Sequence, residues 1–271
     1  MVKILLGRGD VNPNKPDNWG ETPLCCAAWN GNDGVVKMLL ERGDIYPDKP
    51  SDDGQSPLWN AACGEREGAV KILLERSDVD PNKPNNCGQT PLCCAAWNGN
   101  DGAVKMLLER GDINPDKPSD DGQSPLWYAA CGEREGAVKI LLERSDVDPN
   151  KPNNCGQTPL CCAAWNGNDG AVKMLLGRDD IDPDKPSDKG RTPLWYAARG
   201  GYEGVVKILL RRSDVNPNKS DNHGQTPLLC AASRGCVRVV AVLQAAITAS
   251  QALPKAEGTS PSLPLPGVRG T

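Results

Sequence analysis

The tripeptide Thr/Ser-Pro-Leu begins at Thr22, Ser56, Thr90, Ser124, Thr158, Thr192 and Thr226, each step being 34 residues. A glycine stands two places before every copy, at Gly20, Gly54, Gly88, Gly122, Gly156, Gly190 and Gly224. A fixed period of this length means that one small structural unit is copied along the chain. Its copies must stack, because none can bury its apolar face alone. A second period of 68 residues lies on top. Residues 54–87 and 122–155 differ only at Asn60 versus Tyr128, and residues 20–53 and 88–121 differ only at positions 21, 35 and 46 of the first copy. Two unit types therefore alternate, one with Cys-Cys-Ala-Ala-Trp and one with Trp-Asn/Tyr-Ala-Ala-Cys.

Local physics builds each unit. Thr22 is a good N-cap and Pro23 suits the first helical position, where its missing N–H costs nothing. Leu24, Ala27 and Ala28 then share one face, and Asn30-Gly31 ends this short helix. Asn32 or Asp33 can cap a second helix with an apolar stripe of Val35, Val36, Leu39 and Leu40, leaving Lys37, Glu41 and Arg42 toward water. Gly34, in its first turn, weakens it by roughly 0.5–1 kcal/mol relative to alanine. Pro47 and Pro50 preclude a helix in the next segment, which reads as an extended or hairpin-like finger ending at Gly54, where the turn needs positive φ. The fold class is an all-α solenoid of stacked helix–turn–helix units with projecting hairpin loops. Residues 1–19 match the second half of a unit, as an N-terminal cap or the start of a fragment. Residues 20–252 hold seven units, the last extended as a cap helix over Val237–Gln251. Residues 253–271, rich in Pro, Ser and Gly, read as a disordered tail.

Composition suits a thin stack better than a thick core. Phenylalanine is absent, aromatics are 4%, and the chain has 29 glycines and 24 prolines. The net charge of −4, without Lys/Arg clusters, argues against nucleic acid. No stretch approaches the roughly 18 apolar residues of a membrane span. The twelve cysteines follow the repeat and not a Cys-x-x-Cys spacing. They read as small packed side chains in a reducing compartment, so the expected location is intracellular, cytoplasmic or nuclear.

Gly-x-Thr-Pro-Leu-x-x-Ala-Ala-x-x-Gly followed by Val-Val-x-x-Leu-Leu resembles the ankyrin repeat, over residues 1 to about 250. The resemblance implies antiparallel helix pairs, hairpins roughly perpendicular to them, and a concave partner-binding groove lined by hairpin tips and first helices. The near-identical units and the Pro-Asn/Asp-Lys-Pro fingers look like long fungal ankyrin arrays. Three departures stand out. The family's usual histidine after Thr-Pro-Leu is Cys25, Trp59, Cys93, Trp127, Cys161, Trp195 or Leu229, so its hydrogen bonds are lost and packing must compensate. The period is 34 where 33 is commoner. The connecting glycine moves one place earlier in two units, to Gly64 and Gly132.

Candidate chemistry is sparse. One histidine, His223, must serve every catalytic or zinc scheme, and no phosphate loop is present. Adjacent cysteines such as Cys25-Cys26 point about 100° apart on a helix, which is poor geometry for joint ligation. Cys87 and Cys155 lie two units apart, roughly 20 Å, too far for a disulfide. The Asp-rich fingers lack the Gly and distal Glu of an EF-hand loop. No catalytic, metal, cofactor or small-molecule site is therefore expected, and the chain reads as a non-enzyme. Trp29, Trp97 and Trp165 follow the Ala-Ala pair, a position that faces the groove in the resembled family, whereas Trp59, Trp127 and Trp195 are expected to pack between units. The candidate partner-binding residues are Trp19, Trp29, Asn30, Trp97, Asn98, Tyr128, Trp165, Asn166 and Tyr196. Either they contact a protein partner, which near-identical repeated surfaces would suit if it is repetitive or oligomeric, or they only fill space between helices. The matching alternatives for function are a protein-binding scaffold and a passive or sensor segment of a larger protein, such as a fungal nucleotide-binding receptor.

Overall fold

A computed structural model describes residues 11–252, so the readings for residues 1–10 and for the tail at 253–271 lie outside the described residues. Fourteen helices and no strands occur among the described residues. The first helices of the units are α1 (Pro23–Asn30), α3 (Pro57–Cys63), α5 (Pro91–Asn98), α7 (Pro125–Cys131), α9 (Pro159–Asn166), α11 (Pro193–Gly200) and α13 (Pro227–Ser233). The second helices are α2 (Asp33–Leu40), α4 (Glu67–Leu74), α6 (Asp101–Leu108), α8 (Glu135–Leu142), α10 (Asp169–Leu176), α12 (Glu203–Leu209) and α14 (Val237–Ala252). First helices stack on first helices and second on second. Leu24, Leu58, Leu92, Leu126, Leu160 and Leu194, with the Ala-Ala pairs and the valines and leucines of the second helices, form one continuous core along the stack. Each fully buried Leu or Val contributes roughly 1.5–3 kcal/mol.

The start signals act as read. Every first helix has Pro at its first position, and the Thr or Ser before it accepts the N–H three residues on, as from Cys25 to Thr22 Oγ1 at 3.2 Å. The ends are less uniform. Gly31, Gly99, Gly167 and Gly201 take the left-handed conformation after their helices. In the two units with the displaced glycine, that conformation stays in register and falls on Glu65 (φ 57°) and Glu133 (φ 58°). Gly64 instead serves close approach, since a Cβ there would lie 3.1 Å from the Trp29 carbonyl. Among the second helices, Asn100 and Asn168 cap through their side chains, whereas Asn32 does not. The glycine that weakens these helices has a compensating role between units. A Cβ on Gly136 would lie 1.8 Å from Asp101 Oδ2, because the carboxylate of one unit rests on the helix N-terminus of the next.

Polar seams flank the apolar core. Successive fingers are joined by backbone bonds, for instance Asp52 N–H to the Trp19 carbonyl (3.0 Å) and Asn86 N–H to the Asp53 carbonyl (3.0 Å). On the second-helix side the expectation that Arg42 faces water is corrected. It is half-buried and ion-paired to Asp44 at 2.7 Å, and its counterparts also clamp neighbouring units. Arg110 Nη1 donates to the Leu74 carbonyl of the preceding unit (2.8 Å) while Nη2 pairs with Asp112 (2.7 Å). The same pattern recurs at Arg76, Arg144, Arg178 and Arg212. These carbonyls end helices and have no intrahelical partner, so a guanidinium is well placed there. The guanidinium in turn holds the Asp112 carboxyl below its ordinary value.

The finger residue between the two prolines alternates between Asn and Asp. Asn82 uses both ends of its amide, accepting from Asn114 N–H (2.8 Å) and donating to the Asp112 carbonyl (2.7 Å). Asp116, at the same place in the next unit, accepts from Asp148 N–H (2.8 Å) through Oδ2, but its buried Oδ1 has no partner. Desolvation pushes its pKa up, so the ionised form costs stability near neutral pH. Asp116→Asn should gain the missing bond and stabilise the stack by about 1 kcal/mol at neutral pH. Its folded-state pKa lies above the unfolded one, so that advantage should shrink as pH falls through the raised value toward the ordinary carboxylate range. Denaturant titrations of both proteins across acid and neutral pH read this directly.

The reading of the repeat's cysteines as free thiols, packed except at Cys87 and Cys155 before the turn glycines, is corrected for four of them. Cys63 pairs with Cys94 and Cys131 with Cys162, each pair with Cα atoms 5.3 Å apart and 31 positions apart in sequence. Each bridge staples the last residue of one first helix to the next first helix, so the support these four gave to a reducing compartment is gone. Cys87 and Cys155 are free and exposed, and Cys25, Cys93 and Cys161 are free and buried. Closing a loop of this length stabilises a chain by about 3–4 kcal/mol. Unfolded protein without reductant should therefore show eight reactive thiols, and reduction should reveal twelve and lower the midpoint of denaturation. Twelve thiols before reduction would rule the staples out.

Candidate partner-binding groove

The position of the missing histidine shows what replaced it. In the cysteine units the buried thiols lean on a carbonyl of the next finger, Cys25 Sγ to Lys49 at 3.5 Å and Cys93 Sγ to Lys117 at 3.7 Å. Burial pushes these thiols up, so they stay protonated donors and poor nucleophiles. In the tryptophan units the indole fills the space, and Nε1 of Trp59, Trp127 and Trp195 has no partner. Part of the family's hydrogen bonding is thus kept by sulfur, and part is given up to packing.

Fingers and first helices together line a groove of about 720 Å³ with residues from Asp121 to Arg199. Asp121, Asn154 and Lys189 come from the fingers; Trp127, Trp165 and Arg199 come from the helices. Trp127 is half-buried and lines this groove, while Trp59 and Trp195 are buried as expected.

The sequence-derived candidates divide by burial. Trp29, Trp97 and Trp165 are 49%, 46% and 44% exposed, one in every second unit at the same place, and Trp19 stands out at a finger tip. Tyr128 and Tyr196 are corrected to core positions, only 7% and 4% exposed. Their hydroxyls accept from Gln89 and Gln157, both at 2.9 Å. Each tyrosine meets two tryptophans edge-on, Tyr196 lying 5.5 Å from both Trp165 and Trp195. The asparagine amides are largely committed internally. Asn30 donates to the Cys26 carbonyl (2.8 Å) of its own helix. Asn98 and Asn166 donate to the carbonyls of Cys63 and Cys131 (3.2 and 3.3 Å) beside the disulfides.

One register therefore carries all these side chains. The pairs 31 residues apart across successive first-helix seams are Cys63–Cys94, Trp97–Tyr128, Cys131–Cys162 and Trp165–Tyr196. Sequence reasoning missed Arg199, which continues the series opposite Cys230; the signal was its place 68 residues after Cys131. At the other end Asp17, Glu21 and Cys26 converge, but Asp17 is engaged by the N–H groups of Trp19 and Glu21, both at 2.9 Å, as an ordinary turn residue. No helix among the described residues is long and apolar enough to cross a membrane.

These features define a helical repeat protein whose displayed surface is a groove. The family model "Ankyrin repeats (3 copies)" matches residues 44–117, 112–187 and 179–251, and "Ankyrin repeats (many copies)" matches residues 1–40. The chain belongs to the ankyrin repeat family, whose members are in general protein-interaction modules. Among solved structures it is similar to the ankyrin repeat domain of Bcl-3, described as a unique member of the IkappaB protein family. The TM-score is 0.71 and the identity 27%, over 83% of this chain and 99% of that one. No curated protein sequence matches the chain.

The burial pattern separates display from packing. Trp195→Ala should cost about 3–5 kcal/mol, as for a fully buried large side chain, whereas Trp165→Ala should cost about 1 kcal/mol or less. Chemical denaturation of the two variants measures the difference.

Proposed function

We propose that this chain is a non-catalytic scaffold that holds a protein partner in the groove between its fingers and first helices. The observation that carries this reading is the column of half-exposed tryptophans at Trp29, Trp97 and Trp165. Large aromatic side chains left in water on one face are unfavourable unless something covers them, and tryptophan is the residue most enriched at interface hot spots. Their recurrence every second unit suits a partner that is itself repetitive or oligomeric, since each engaged site raises the effective concentration at the next. The groove mixes indoles of Trp127 and Trp165 with charged Asp121 and Lys189, a combination of apolar and polar groups common to protein interfaces.

A triple variant, Trp29→Ala with Trp97→Ala and Trp165→Ala, tests this against wild type in quantitative affinity capture from cells that natively make the protein. The wild type should retain partners that the triple variant loses at least about tenfold, while both keep helical circular dichroism. Equal recovery of the same partners by both would remove the tryptophans from the contact surface.

A further inference from the structure

Residues 189–221 depart from the copy 68 residues earlier in a way the structure gathers in the groove. Lys189 stands where Asp121 stands one double unit earlier; Arg191 stands in place of Gln123, and Arg199 in place of Cys131. All six line the same groove. Each of the three changes adds positive charge, in a chain whose net charge is −4. Two changes run the other way, Tyr202 in place of Arg134 and Asp221 in place of Asn153; neither Arg134 nor Tyr202 lines the groove, and Arg191 takes up Asp221 at 3.3 Å. Asp221 is further engaged by the N–H groups of His223 and Gln225 (2.9 and 3.0 Å), so it leaves no carboxylate for Arg199 or Lys189.

Arg199 is held without being paired. Its guanidinium lies 5.6 Å from the centre of the Trp165 ring and 5.5 Å from that of Trp195. Neither Arg199 nor Lys189 has an ion pair among the described residues, and Asp121 and Asp188, which line the same groove, are not within ion-pair distance of either. Two indoles thus lie within cation–π reach of the guanidinium, and no hydrogen bond or ion pair among the described residues engages its N–H groups. A guanidinium presented in this way matches a planar carboxylate, which it can bind through two parallel hydrogen bonds.

We propose that this end of the groove binds an acidic segment of the protein partner, with Arg199 receiving its carboxylate and Lys189 adding attraction at the rim. The proposal rests on the groove being the partner-binding surface, and it gives that surface a direction. Earlier fingers carry paired aspartates, Asp52 with Asp53 and Asp120 with Asp121, whereas here Asp188 is kept and Lys189 replaces the second, so the balance of charge favours an acidic segment at this end over the other near-identical sites.

The test is selection from a random peptide library displayed on phage, panned on the full chain as wild type, Arg199→Met, Arg199→Lys and Trp165→Ala. Groove binders are the peptides that Trp165→Ala retains poorly. Among them the wild type should enrich Asp and Glu at least about threefold over the input library; Arg199→Met should abolish the enrichment and Arg199→Lys should restore part of it. The best peptide should bind wild type at least about tenfold more tightly than its Glu-to-Gln form, a gap that narrows as salt is added. Groove binders without acidic enrichment, or acidic peptides kept equally by Arg199→Met, would overturn the carboxylate assignment and leave the groove reading standing. A phosphoserine form that outbinds the Glu form about tenfold would overturn it in favour of a phosphate ligand. If no selected peptide depends on Trp165, the groove reading falls and this inference with it. Unchanged thermal transitions in the Arg199 variants exclude misfolding as the cause.

Discussion

Every helix before α14 is seven or eight residues long, too short to persist in water on its own. The apolar face shared between neighbouring units is therefore the interaction on which the rest of the structure depends. A leucine such as Leu92 and the alanines beside it are fully buried only because the units on either side cover them. Features that look unfavourable within one unit make sense as conditions of that contact. The glycine in the first turn of the second helices lets a carboxylate from the preceding unit rest there, and Gly64 leaves room for the Trp29 carbonyl.

Stacking short helices leaves many backbone groups unpaired at helix ends and in fingers, and two polar seams absorb them. Finger-to-finger N–H bonds run along one edge, and the arginine clamps close the ends of the second helices on the other. These seams repeat with every unit because they satisfy the backbone, which is the same in each. The groove seam repeats with every second unit, because its side chains are free to differ once the backbone is satisfied. It alternates disulfides with tryptophan–tyrosine contacts and then breaks its own rule at Arg199. The departure from repetition marks the place where one site is made unlike its copies, and specificity among repeated surfaces needs such a difference.

Much of this was legible in the sequence. The period, the helix starts at Thr/Ser-Pro and the turn glycines with positive φ follow from local rules applied to a repeated unit, while the outward place of Trp29, Trp97 and Trp165 was implied by the family resemblance. What escaped were relations between units. Cys63 and Cys94 gave no spacing signal, because stacked units place a residue beside one about a helical turn short of the next repeat. Tyr128 reads as a surface aromatic in its own helix, and Arg76 as a surface cation in its own, yet neighbouring units bury the first and engage the second.

By itself the sequence determined the register: which residues begin each unit, which face is apolar, and that the units must stack. Only the tertiary structure decided which side chains across a seam touch, which aromatics remain in water, and which cation is left without a counter-charge. The physical reason is that backbone propensity and periodicity are set within a few residues along the chain. Burial and pairing depend on distances between units, which exist only once the apolar faces have closed on each other.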